Sequence, residues 1–256
     1  MGSNEPMISM FGLDYCACTL EKAAQLIIEA AEARKKGLVV TPNVDHVMTM
    51  QEDVEMLELY RLAMYRFADG MPLVWFSRFF RGKGLPERVA GSDLLPAVAR
   101  ITATRGLKLF LLGGLPGVAE QAAIRLAQQN PSLSVAGTYS PPFGFEKDEL
   151  ESKRIVKMVN DSGADILFIG VGAPKQEKWA AKYMDKLDVG PILGVGAAFD
   201  FAAGAVKRAP VWLQRIGMEW LWRLLQEPGR LWRRYILKDS QFILLVMREL
   251  LQGTKS

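Results

Sequence analysis

Short runs of β-branched and other apolar residues recur along residues 1–204, separated by longer stretches in which apolar positions return every three or four residues. A short, continuously apolar run is the pattern of a strand buried on both faces, and the 3.6-residue period that of an amphipathic helix. The runs predict strands at 8–13, 38–41, 65–68, 107–112, 133–137, 166–171 and 192–195, with helices between them. Thr19, ahead of Glu21-Lys22-Ala23-Ala24, reads as an N-cap, and Gly37 as the residue that ends that helix before the second strand. Alternating strand and helix predict βα units. The expected fold is α/β, a doubly wound, Rossmann-like and mainly parallel sheet.

Past Gly204 the strand pattern stops. Residues 205–256 are predicted as a helical C-terminal appendage to one α/β catalytic domain, 1–204, because no repeat or Gly/Ser-rich linker divides the earlier part. A single core accommodates a chain of roughly 250 residues. Half the residues are apolar and 23% charged, an ordinary globular composition. Charge changes the picture only once the chain is divided. The appendage holds ten Lys or Arg against four acids, a net +6 within an overall +4, which leaves residues 1–204 at −2. Four of the six tryptophans, Trp212, Trp220, Trp222 and Trp232, lie there too. Trp and Leu interleaved with Arg suit amphipathic helices lying on a membrane surface. The competing reading is a helical cap on the core or a homo-oligomer interface. The longest apolar run, 242–247, is far short of the roughly 18 residues that span a bilayer. The N-terminus has no basic start followed by an apolar run, and two neighbouring cysteines make no disulfide framework. A cytoplasmic protein bound peripherally to the inner face of the membrane is therefore expected. The net acidic main domain argues against nucleic acid as a partner.

In open parallel sheets, ligands bind at the carboxyl ends of the strands, so the residues after each predicted strand are the candidates for chemistry. They are Thr41-Pro42-Asn43, Asp69-Gly70-Met71-Pro72, Gly113-Gly114, Gly172-Ala173-Pro174-Lys175-Gln176-Glu177 and Gly196-Ala197-Ala198-Phe199-Asp200. Glycine lets backbone N–H groups approach a phosphate and a helix N-terminus favours the anion, so a nucleotide is the expected ligand. No G-x-G-x-x-G follows the first strand, which disfavours an NAD enzyme. Asp69 admits two readings: an N-cap for the helix that Pro72 opens, or a general base that takes a proton from an acceptor hydroxyl. Asp200 admits the same pair, with ribose or base binding ahead of catalysis. His46, the only histidine, is expected near a helix start in a capping or packing role, and Cys16 and Cys18 in the core. One histidine and two cysteines form no zinc cluster, and no D-x-D triplet occurs, so no metal is expected. Arginines and helix N-termini are then the groups available to a departing diphosphate.

Taken together and in order, Thr41-Pro42-Asn43, Ala68-Asp69-Gly70, Arg88-Val89-Ala90-Gly91-Ser92-Asp93, Leu112-Gly113-Gly114, Gly170-x-Gly172-x-Pro174-x-Gln176-Glu177 and Gly194-x-Gly196-Ala197-x-Phe199-Asp200 resemble the WecG/TagA/CpsF glycosyltransferases, glycosyltransferase family 26. The resemblance continues through Lys207-Arg208-Ala209-Pro210, Glu219-Trp220-x-x-Arg223-Leu224 and Glu227-Pro228-x-Arg230. It implies an inverting transfer of an N-acetylmannosamine-type sugar or another hexose from a UDP-sugar to a sugar on undecaprenyl diphosphate, in cell-envelope polysaccharide synthesis. No cofactor or metal is implied, the UDP-sugar being a co-substrate. Asp69 would be the base, working with Thr41 and Arg88. Asn43, Gly113, Gly114, Tyr139, Gly172, Gln176 and Asp200 would contact the donor, Asp200 through the nucleoside. Arg223, Arg230 and Arg233 would face the acceptor diphosphate or the membrane. Where the family commonly has a glutamate two residues after the asparagine, this chain has Asp45, a shorter acid of the same charge. Two other classes share parts of the pattern: a SAM-dependent methyltransferase, for the glycine-rich sheet, and a non-enzymatic membrane or nucleic-acid adaptor, for the basic tail.

Overall fold

The chain turns back on itself at Phe11 and Gly12, both at positive φ (54° and 77°), in the computed structural model of the protein. The structure describes residues 5–79, 84–206, 208–210, 213, 218–226, 229 and 241–253. Two successive left-handed residues make a tight hairpin turn, and glycine at the second takes that conformation without strain. The first predicted strand is therefore an antiparallel hairpin, β1 (Met7–Met10) and β2 (Leu13–Cys16), separate from the main sheet. The hydrophobic pattern of 8–13 runs across the turn and conceals it.

The other six predicted strands form one parallel sheet. They are β3 (Gly37–Val40), β4 (Tyr65–Arg66), β5 (Lys108–Gly113), β6 (Ser134–Tyr139), β7 (Ile166–Gly170) and β8 (Pro191–Gly194), in the order β4-β3-β8-β7-β5-β6. From β3 the chain winds outward to β4. It re-enters at β5, winds outward to β6 on the opposite side, and fills the middle with β7 and β8. Side chains alternate across the sheet: Leu109 and Leu111 join one buried cluster, and Phe110 and Leu112 the other. Both faces are covered at the central strands β3, β8, β7 and β5, which is why these read as nearly unbroken apolar runs, while the edge strand β6 is only half-buried.

The helices on these faces are α1 (Leu20–Glu32), α2 (Val44–Met50), α3 (Val54–Leu62), α4 (Met71–Ser77), α5 (Gly91–Arg105), α6 (Val118–Gln129), α7 (Glu149–Ser162), α8 (Lys175–Tyr183) and the single turn α9 (Ala198–Ala202). Thr19 caps α1, its hydroxyl oxygen accepting from the Lys22 N–H at 3.3 Å. Gly37 does not end that helix. It is the first residue of β3, where a Cβ would lie 2.5 Å from the Met64 side chain, and Arg34 at φ 49° makes the turn. Trp179 of α8 is fully buried and donates its indole N–H to the Ser152 hydroxyl of α7 at 3.1 Å; that hydroxyl donates to the Phe145 carbonyl, also at 3.1 Å. The chain between β6 and α7 is thereby tied to the body.

The boundary at 204 is not where contact with the body ends. Arg208 pairs with Asp93 of α5 at 2.7 Å, and Ala209 is buried. The tail contains helices over Glu219–Gln226 and Gln241–Gly253. In the latter, Phe242 and Val246 are buried, with Phe242 against the rings of Phe11 and Phe76 at 5.2 and 5.3 Å. Glu249 of the same helix accepts from the Phe11 N–H at 2.9 Å. Among the described residues no helix is long and apolar enough to cross a membrane. Arg230 and Arg233 lie outside the described residues, and of Arg223 only the helical backbone is described.

Candidate active site

The carboxyl ends of β3, β8, β7 and β5 open into a cavity of about 820 Å³. This is the volume range of small-ligand sites, and its place above the central strands, where the winding reverses, is where doubly wound sheets bind ligands. All five loops inferred from the sequence reach it, and a sixth joins them, the Pro141-Pro142-Phe143 segment after β6. Nothing in that segment marks hydrogen-bonding chemistry; its signal in the sequence is only its position after a strand.

Thr41, Asn43, Asp69, Arg88, Gly114, Gly172, Gln176 and Asp200 all line this cavity. Thr41 is buried at the end of β3. Asn43 caps α2, its side-chain oxygen accepting from the His46 N–H at 3.1 Å, so its amide NH2 is the group left to meet a ligand. Asp69 is clamped by backbone bonds: its N–H donates to the Pro42 carbonyl at 2.9 Å, and the preceding Ala68 carbonyl accepts from the Val89 N–H at 2.8 Å. Of its two readings the helix cap falls, because Gly70 at φ 133° occupies the cap position of α4 and no side chain caps that helix. Asp200 sits in the turn α9, whose end is closed by the Ala205 N–H donating to the Asp200 carbonyl at 2.9 Å.

Arg88 pairs with Asp93 at 2.8 Å, and Arg208 reaches the other oxygen of the same carboxylate at 2.7 Å. Two guanidinium groups thus share one carboxylate, with Ser92 beside them on the cavity wall. Lys175 adds a second cation to the lining, its ammonium 4.5 Å from the ring centre of Phe143, which is 97% exposed at the mouth. Lys175 also stands 4.0 Å from Glu146, which lines the cavity with Asp45, Asp69 and Asp200, so the lining carries both signs of charge.

The glycines divide by role. Gly172 and Gly196 take positive φ (87° and 53°) with open space where a Cβ would stand. Gly113, by contrast, faces the backbone of Gly170, whose carbonyl oxygen would be 2.5 Å from its Cβ. It lies under the rim and not on the cavity wall, and its task is to let β5 and β7 close on each other. Tyr139 likewise lies off the cavity lining, its hydroxyl bound to Glu151 of α7.

Beneath the rim runs a chain of buried polar groups. The Gln176 side-chain oxygen accepts from the N–H groups of Gly172 at 3.2 Å and Gly196 at 3.1 Å, and its NH2 donates to Glu177 Oε1 at 2.8 Å. Tyr60 donates to the same Oε1 at 3.1 Å and stands 3.3 Å from Nδ1 of His46, itself on the cavity wall. Burial pushes the Glu177 carboxyl above its usual range and the Tyr60 hydroxyl well above its own. His46, expected to cap or pack, packs edge-on against the Tyr60 ring, its backbone N–H bound to the Asn43 cap, and also lines the cavity. Tyr60 carries no sequence signal, since it comes to Glu177 from a helix 117 residues earlier.

The family model described as "Glycosyl transferase WecG/TagA/CpsF family" matches residues 8–256. The chain belongs to this family. It is a glycosyltransferase, of a family that serves cell-envelope polysaccharide synthesis. The methyltransferase and adaptor readings fall with that assignment. In this WecG/TagA/CpsF transferase the match runs through the tail, so the region after residue 204 is part of the family's common chain. A nucleotide-sugar donor and a sugar acceptor follow from the family, and the cavity has the volume of a small-ligand site and a lining of both cations and carboxylates.

Proposed function

We propose that the protein is an inverting, metal-independent transferase that moves an N-acetylmannosamine-type sugar or another hexose from UDP to a sugar carried on undecaprenyl diphosphate. The observation that carries the reading is the convergence of Asp69, Thr41, Asn43, Arg88, Gln176 and Asp200 on one cavity at the strand ends. In the proposed step Asp69 takes the proton of the acceptor hydroxyl. The acceptor oxygen bonds to the anomeric carbon from the face opposite the diphosphate. The carbon–oxygen bond to the β-phosphate breaks, and its electron pair leaves on UDP. Arg88, on the cavity wall, opposes the charge that grows on the leaving group, and Asp200 holds the nucleoside.

The acceptor's lipid places the reaction at the inner face of the cytoplasmic membrane. Ile243, Leu244, Met247 and Leu251 are 56–69% exposed along one stripe of the last helix, and such a stripe supports attachment to a bilayer surface. Arg223, Arg230 and Arg233 are assigned to the acceptor diphosphate or the lipid headgroups. The deciding experiment is Asp69→Asn. It keeps UDP affinity in calorimetry and lowers transfer from a UDP-sugar to a synthetic polyprenyl-diphosphate sugar by about 10² to 10⁴. Unchanged turnover would remove Asp69 from the mechanism.

A further inference from the structure

Gln176 and Glu177 are 2% and 1% exposed, among the few polar side chains of the described residues buried to this degree. A glutamine amide has two ends of opposite character, and turning it over exchanges acceptor for donor. Here only one orientation fits. The oxygen end meets two backbone N–H groups from two different loops, Gly172 after β7 and Gly196 after β8. The nitrogen end meets Glu177 Oε1. Turned over, the amide would set NH2 against two N–H donors and oxygen against an acceptor. The space is cut to this pair as well: a Cβ on Gly194 would lie 2.8 Å from Gln176 Nε2 and 2.9 Å from Glu177 Oε1. Tyr60 holds Oε1 in place from the far side, while Glu177 Oε2 has no partner.

We propose that Glu177 is a positioning residue, whose Oε1 locks the Gln176 amide so that it pins the Gly172 and Gly196 loops together and sets the shape of the donor side of the cavity. The proposal rests on the UDP-donor reading for its functional consequence. Glu177 acts by shape, through one acceptor atom held at the right distance. A neutral carboxyl serves as well as a carboxylate, since its carbonyl oxygen accepts both bonds and its proton sits on the unpartnered Oε2. The raised ionisation range caused by burial accords with this.

Two mild substitutions in the full chain separate shape from charge. Glu177→Gln keeps the acceptor in place and removes the charge. Glu177→Asp keeps the charge and withdraws the acceptor by one methylene. With UDP as the probe in calorimetry, Glu177→Gln is expected within about twofold of wild type, and Glu177→Asp weaker by about tenfold or more, the scale of a buried donor left unsatisfied. Wild-type affinity in folded Glu177→Asp, or a loss in Glu177→Gln as large as in Glu177→Asp, overturns the proposal. Amide hydrogen exchange at Gly172 and Gly196 reads the pin without any ligand: it is expected slow in wild type and Glu177→Gln and fast in Glu177→Asp, and equal rates in all three overturn the proposal. Failure of the donor reading shows differently, as no UDP binding by the wild type itself, and the exchange rates then decide the positioning role alone.

Discussion

Gly113→Ala is expected to break the fold at the rim, and Gly172→Ala to leave the fold and disturb the ligand. Gly113 sits at φ 129°, and a methyl there would stand 2.5, 2.6 and 2.9 Å from the O, C and N of Gly170. These are backbone atoms of the neighbouring central strand, paired with Gly113 in register, so no side chain can rotate away. Overpacking costs about 1–3 kcal/mol and the strained φ about 1–3 more, which gives about 2–6 kcal/mol together. At roughly 2–4 °C per kcal/mol for a chain of this size, the melting temperature should fall by about 10 °C. Gly172 lies at φ 87° with nothing within 4 Å of the added carbon. Its substitution costs only the backbone term, about 1–2 kcal/mol, and the methyl adds bulk at a cavity-lining position. Thermal unfolding of both variants with and without UDP gives the readout. Gly113→Ala should melt early and, while folded, still be protected by UDP; Gly172→Ala should melt within a few degrees of wild type and lose protection. A Gly113→Ala protein with the wild-type melting temperature would refute the assignment of Gly113 to strand packing.

Leu244→Asp combined with Met247→Asp places charge on the exposed stripe of the last helix while sparing buried Phe242 and Val246. Sedimentation with anionic vesicles should fall by roughly tenfold or more with UDP affinity unchanged, and undiminished sedimentation counts against the surface-bound reading. Asp53 caps α3 through the Met56 N–H at 2.9 Å and pairs with Lys178 of α8 at 2.9 Å. These bonds, the Met56 N–H first, hold its carboxyl below the usual range. A depressed folded value gives stability that is complete above the ordinary carboxylate range and lost as pH falls through the folded value. Asp53→Ala should therefore cost about 1 kcal/mol at neutral pH, and the gap to wild type should close in acid. Parallel denaturation curves across that range would contradict this role.

Six of the eight strands are legible, the central four because a strand buried on both faces must be apolar along its length, and the edge strands β4 and β6 because short runs with β-branched or aromatic residues remain there. The hairpin at Phe11-Gly12 is not, since apolar residues on both sides of a turn look the same as one strand. The rim residues are legible for a related reason. A strand end fixes where the next residues stand, so Thr41, Asn43, Asp69, Gly114, Gly172, Gln176 and Asp200 arrive at one cavity by topology alone. What a strand-end glycine does is not legible: Gly113 and Gly114 are adjacent, yet only Gly114 lines the cavity, because the first meets the neighbouring strand.

The sequence by itself therefore determined the α/β class, the family and the rim, all properties of periodicity and order along the chain. Tertiary structure alone decided that Asp69 is not a helix cap, that His46 and Tyr60 stand in line with Glu177, and that Arg208 shares the Asp93 carboxylate with Arg88. The physical reason is separation. A hydrogen bond or ion pair is made over about 3 Å, and the partners here are as far as 117 residues apart in the chain, brought together only when the sheet closes.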